Sequence, residues 1–223
     1  QHLGQYDNTY IDECVRSEPT ALAGVAMIDA TAASAGRALD EVLASGSFGG
    51  LRMTASMLAE APAIASTALG AGLHLVLYCP DGTGAIRGVL PALASGPGRI
   101  VITHLGSPVV ADGRLVRGQE ILELAADDRL MVTLSGAGMA CEPPHLPIRP
   151  LVQEVVAAFG PERVMWASNF PVVGDAQAVR HDLDLLLGNA WGLPAESIDL
   201  IGGGTAERLS LIHISEPTRP ERI

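Results

Sequence analysis

Apolar residues in this chain come in six short runs, several of them rich in β-branched side chains: LAGVAMI at 22–28, FGGLRM at 48–53, LHLVLY at 73–78, RIVITH at 99–104, LMVTLS at 130–135 and RVMWAS at 163–168. Between them the apolar residues recur at helical spacing, as in ALDEVLA at 38–44, SMLAEAPAIASTALG at 56–70, QEILELAA at 119–126 and HDLDLLL at 181–187. A last helix is expected over roughly 194–208. Parallel strands need crossovers of a dozen or more residues, usually helical, so this alternation predicts an α/β fold. Runs that are apolar at nearly every position predict strands covered on both faces.

Two parallel architectures meet that description. An open doubly wound sheet that binds a nucleotide wants a glycine-rich turn straight after its first strand, whereas LAGVAMI leads into DATAAS. A (β/α)8 barrel instead gathers polar groups at the C-terminal ends of several strands. The six runs end in Asp29, Arg52, Tyr78 with Cys79, His104, Ser135 and Asn169, which favours the barrel. About six βα units are visible where eight close a barrel, so an incomplete (β/α)8 barrel is expected, with two more strands upstream of Gln1. The tail SLIHISEPTRPERI breaks the periodicity and resembles translated sequencing-adapter DNA. Residues 1–209 are therefore read as the partial barrel, and 210–223 as a non-native tail expected to be disordered.

Composition narrows the chemistry. The 223 residues, 48% hydrophobic and 17% charged, have a globular balance. A net charge of -11 repels nucleic acid and anionic membrane surfaces, so the expected partner is a small-molecule substrate, with homo-oligomerisation left open. No stretch reaches the ~18 consecutive apolar residues of a membrane span. All 14 basic residues are Arg. Within these 223 residues the missing Lys excludes Schiff-base catalysis, a P-loop lysine and a carbamylated-lysine metal bridge. Cys14, Cys79 and Cys141 are far apart and odd in number, which indicates neither a disulfide framework nor a zinc knuckle and suits a reducing cytoplasm.

Among the strand-end residues, His104 in THLGSP is the sharpest candidate. Counting by twos, Ile100, Ile102 and His104 share a face. If the isoleucines fill a barrel interior, His104 stands at its mouth, where a neutral imidazole can ligate a metal or relay a proton; a structural His bonded to a carbonyl is the plain alternative. Arg52 can hold a carboxylate or lactone oxygen of a substrate, or pair with Asp29. Tyr78 and Ser135 can line the pocket, or serve as an interface aromatic and a turn residue. His74 reads as a packed core histidine, His181 as solvated helix surface, and CEPPH at 141–145 as a weak metal motif.

DNTYIDE, GVAMID, GGLRM, IVITHLGSP and FGPERVMWASNFP, in this order and spacing, resemble the amidohydrolase-related (amidohydrolase 2) family of TIM-barrel, often metal-dependent hydrolases, which includes lactonases and decarboxylases. The resemblance spans 1–209 and implies hydrolysis of a small carboxylate, lactone or amide. It also implies a metal or water-activating site made by an HxH pair, the His at position 104 and an Asp at position 169, with one divalent metal, zinc or manganese, or none. This chain has Asn169 in place of that Asp and contains no HxH. An Asn amide cannot act as a general base, but it can orient a water or lend its carbonyl oxygen to a hard cation. Hydrolysis is thus expected of the parent protein, with His104 and Asn169 as catalytic or metal-site residues and Arg52, Tyr78 and Ser135 contacting substrate. The 223-residue chain alone is expected to be inactive; a non-catalytic binding barrel and a decarboxylase are the alternatives.

Overall fold

All six runs become strands in the computed structural model, which describes residues 5–211. Helix α1 (Thr9–Ser17) precedes β1 (Gly24–Met27), and then α2 (Ala35–Ser45), β2 (Phe48–Thr54), α3 (Ala55–Glu60), α4 (Pro62–Gly70) and β3 (His74–Tyr78) follow. The chain continues through α5 (Gly84–Val89), β4 (Ile100–Ile102), a hairpin of β5 (Val109–Ala111) and β6 (Arg114–Arg117), and β7 (Leu130–Leu134). It ends with α6 (Arg149–Phe159), β8 (Val164–Trp166), α7 (Ala176–Leu187), α8 (Ala195–Asp199) and α9 (Thr205–Leu211). Ser210 and Leu211 thus continue the last helix; the rest of the expected tail lies outside the described residues.

Departures from the expected elements have local causes. The segment 56–70 splits at Ala61, because Pro62 lacks an N–H and forces the residue before it out of helical geometry; Ala61 has φ -127° and ψ 54°. QEILELAA is a 3-10 helix, whose three-residue turn puts Ile121 over Leu124, and both are buried. The last helix is interrupted over Leu200–Gly204 by a π turn that contains three successive glycines. The β5–β6 hairpin was not expected at all: its runs are three and four residues long, too short for the period to show.

The six main strands are all parallel and lie in the order β1-β2-β3-β4-β7-β8. An open doubly wound sheet would reverse its strand order at a switch point; this sheet never does, which is the order of a barrel wall. β1 and β8 do not pair, so the barrel is not closed among the described residues. At the free edge of β1 the Asn8 amide takes the place of a neighbouring strand: Nδ2 donates to the Met27 carbonyl at 2.8 Å and Oδ1 accepts from the Met27 N–H at 2.9 Å. That covers two main-chain groups an open edge leaves unpaired.

Two apolar clusters divide the faces of the sheet. The larger joins Leu51, Leu75, Leu77, Ile100, Ile102 and Val132 to the helices through Ile86, Ile121, Leu151 and Val155. On the opposite, inner face Val101, Met131 and Met165 meet Ala206 and Leu209 of α9. The two isoleucines therefore face the helices, not the barrel interior as counted from the sequence. Each strand buries one set of alternate side chains under the helices and points the other set inward.

Candidate functional site

The inner face changes character along the strands. Its N-terminal half is the apolar cluster under α9, with His74 beside it. Its C-terminal half carries Arg52, Tyr78, Thr133 and Ser135.

His104 joins this group by an unexpected route. The strand ends at Ile102, and His104 has φ 55°, with Leu105 at 53° and Ser107 at 62°. A left-handed residue breaks the alternation, and His and Asn tolerate that region better than most residues. The turn brings the imidazole to the inner face: His104 Nδ1 lies 2.9 Å from Ser135 Oγ, and the His104 main-chain N–H donates to Thr133 Oγ1 at 3.1 Å. Thr133 Oγ1 and Ser135 Oγ are themselves 2.8 Å apart. Gly136 permits the close approach, since a Cβ there would meet His104 Nδ1 at 2.8 Å.

Tyr78 presents its ring edge-on to His104, with centroids 5.8 Å apart at 81°. The Arg52 guanidinium lies 5.9 Å from the centre of the same ring. Arg52 makes no ion pair among the described residues, and its buried Nε has no hydrogen-bond partner. The alternative partner Asp29 is engaged by Thr31, which donates through its main-chain N–H and its hydroxyl. Burial pushes the Arg52 guanidinium below its ordinary value, and the Tyr78 side chain partly restores it. Burial, together with the Arg52 charge, holds His104 down to about 4. The imidazole is thus neutral across the physiological range.

Asn169 stands at the end of the β8 run with φ 55°, and its amide nitrogen lies 3.4 Å from Met139 Sδ. Met139 Sδ in turn would lie 3.0 Å from a Cβ on Gly136, the residue packed against His104. His104 and Asn169 therefore stand on either side of Met139 on one rim. Beside His104 a cavity of 170 Å³ is lined by Tyr78, Ser107, Arg117, Gly136 and Met139 among others. A larger hollow of 470 Å³ between α1 and α2 takes in Asp29 but none of the other strand-end residues.

Several residues of this region were not singled out in the sequence. Thr133 had a readable signal, a polar residue inside the apolar run LMVTLS two places before Ser135. Arg117 had none: it arrives on the hairpin and donates to the carbonyls of Pro80 at 2.8 Å and Ser107 at 3.2 Å. CEPPH does not become a metal centre. Its His145 is buried, stacks on Trp191 at 5.7 Å, and donates from Nδ1 to the Cys141 carbonyl at 2.7 Å. His181 is exposed, as expected. Among the described residues no three His, Cys, Asp or Glu side chains converge to hold a metal ion. No helix is long and apolar enough to cross a membrane, among the described residues.

A sequence model of the family described as Amidohydrolase matches residues 1–209. Solved structures share the fold. A zinc-bound amidohydrolase from Burkholderia multivorans superposes with a TM-score of 0.72 at 20% identity, over 91% of this chain and 78% of that one. A provisionally assigned 2-pyrone-4,6-dicarboxylic acid hydrolase from Pseudomonas putida gives 0.70 at 21% identity, over 93% and 78%. The 5-carboxyvanillate decarboxylase from Sphingomonas paucimobilis gives 0.56 at 18%, over 91% and 70%. No curated protein sequence matches the chain.

Proposed function

Because the chain belongs to the amidohydrolase family, we propose that its barrel hydrolyses a C–O or C–N bond in a small carboxylate, lactone or amide. The observation that carries this reading is Arg52, a half-buried cation without a carboxylate partner, facing a neutral His104 across Tyr78. In a chain of net charge -11, an unpaired buried guanidinium has a clear use in holding a substrate anion by its fork of donors.

The roles follow from the chemistry of each group. Arg52 orients the anionic group, and the Tyr78 hydroxyl adds a hydrogen bond. His104, neutral at working pH, either donates a ring N–H to the oxygen of the scissile carbonyl or takes the proton of the attacking water. Asn169 orients the attacking water, since its amide can donate and accept but cannot take the proton. A divalent metal such as zinc or manganese would need the HxH pair of the family, which this sequence lacks. On the same ground the 223-residue chain alone is proposed to be inactive, and a cytoplasmic location is proposed from its cysteine usage.

The test is to assay the full-length product of the gene against a panel of lactones, amides and aromatic carboxylates with and without divalent metals. Turnover of one class that falls at least ~100-fold in Arg52→Met is expected. An intact, folded protein that binds members of the panel and turns over none overturns the hydrolase reading in favour of a binding barrel. Release of CO2 in place of ring or amide opening would assign a decarboxylase.

A further inference from the structure

Two hydroxyl groups, one on β7 and one just past its end, grip His104 at two atoms. Its main-chain N–H donates to Thr133 Oγ1, Thr133 Oγ1 and Ser135 Oγ are hydrogen-bonded, and Ser135 Oγ is bonded to the ring at Nδ1. Thr133 and Ser135 are only 6% and 3% exposed, and neither hydroxyl has a further partner among the described residues.

Counting protons around this cycle selects one direction. A main-chain N–H can only donate, so it occupies a lone pair of Thr133 Oγ1, and the Thr133 hydroxyl proton must find an acceptor. Ser135 Oγ is that acceptor. The Ser135 proton is then directed at Nδ1, every donor in the cycle is used, and the proton of the neutral ring is left on Nε2. In the reverse direction the ring proton sits on Nδ1 and Ser135 donates to Thr133. The Thr133 hydroxyl then has no acceptor in a buried position, which folded proteins avoid. The Ser135 main-chain carbonyl also lies near enough to favour a protonated ring, but only the hydroxyl meets hydrogen-bond geometry with Nδ1.

We propose that Thr133 and Ser135 are positioning residues that hold His104 in its left-handed turn as the Nε2–H tautomer, so that the imidazole meets the pocket as a hydrogen-bond donor. Its Nε2 has no partner among the described residues, and His104 lines the cavity beside Tyr78. For a cation to settle on Nε2, the ring proton would have to move to Nδ1 and both hydroxyls would have to turn. The catalytic meaning of the tautomer rests on His104 being the working imidazole proposed above; the tautomer does not.

The experiment reads the ring nitrogens directly. The 223-residue chain labelled with 15N-histidine is examined at pH 7 by long-range proton–nitrogen correlation, with His104 assigned from the signals lost in His104→Gln. The expected pattern is a protonated Nε2 and an unprotonated, hydrogen-bonded Nδ1, in excess over the other tautomer. Thr133→Val keeps the shape and removes the hydroxyl; it should lower that excess roughly fivefold, and Thr133→Ser should restore it. A wild-type ring protonated at Nδ1 overturns the proposal, as does an unchanged ratio in Thr133→Val. Should Thr133→Val not fold, Ser135→Ala takes its place with the same two outcomes. Absence of hydrolysis by the intact protein leaves these spectra untouched, so the two readings fail separately.

Discussion

His74 and His104 sit at opposite ends of the same inner face, and the fold uses both nitrogens of one and a single nitrogen of the other. At the start of β3, His74 Nδ1 accepts from the Arg99 N–H at 2.9 Å, which puts the neutral ring's proton on Nε2, and this donates to the Leu209 carbonyl at 3.3 Å. Both partners are main chain, one on the loop before β4 and one on α9. His104 bonds a side chain instead, and its second nitrogen is left for the pocket. A histidine whose two nitrogens are spent on main-chain groups is a stitch between elements; one held at a single nitrogen beside an unpaired cation is equipped to meet a ligand.

The contrast is sharpened most by exchanging the two rings for amides. In the intact protein, His104→Gln is expected to lower kcat/KM about 1,000-fold with little loss of stability, in the range typical of a lost acid–base or polarising group. His74→Gln should leave kcat/KM within a few-fold and lower the denaturant midpoint. Equal activity losses in the two variants would erase the distinction drawn between the ends of the barrel.

The apolar end gives the next largest effect. Met131 is 7% exposed and joins β7 to α9 through the cluster with Val101 and Met165. Met131→Ala should cost about 3 kcal/mol in urea denaturation, the usual range for emptying a buried methionine site. Thr133→Val, one turn of the pleat further along the same strand, should cost less. If the polar substitution proves the more costly, the rim and not the cluster under α9 secures β7.

The smallest effect is a pH dependence. His104 is held down to about 4 in the folded protein against an ordinary 6.5, so the unfolded chain binds more protons between these values. The stability contributed by the neutral ring is complete above pH 6.5 and is lost as pH falls toward 4. With the partial exposure of the ring discounted, the change is on the order of 1 kcal/mol. Denaturation curves for wild type and His104→Gln at pH 7, 5.5 and 4.5 test it: the wild type should lose stability faster on acidification, and parallel losses would count against a buried neutral ring.

Much of this was legible along the chain. All six strands were found from short apolar runs, because parallel strands covered on both faces admit few polar residues. The rim residues were found from their position after those runs. The inward face was misjudged for a specific reason: the count from Ile100 to His104 assumed extended backbone throughout, whereas the left-handed turn at His104 reverses the side on which its ring emerges. Asn169 fares differently. Its identity was readable, but its neighbour Met139 was not, because the loop that carries Met139 has no period.

Local order along the chain was therefore enough for the class of fold, the parallel pairing and the family, since each depends on patterns within a few dozen residues. The partners of His104 could not be obtained that way. Its bonds to Thr133 and Ser135 cross 29 and 31 residues of chain, and they exist only because β4 and β7 are adjacent in the sheet. Alternation says that a strand has two faces. Curvature and the packing of helices against one of them decide which face becomes the pocket.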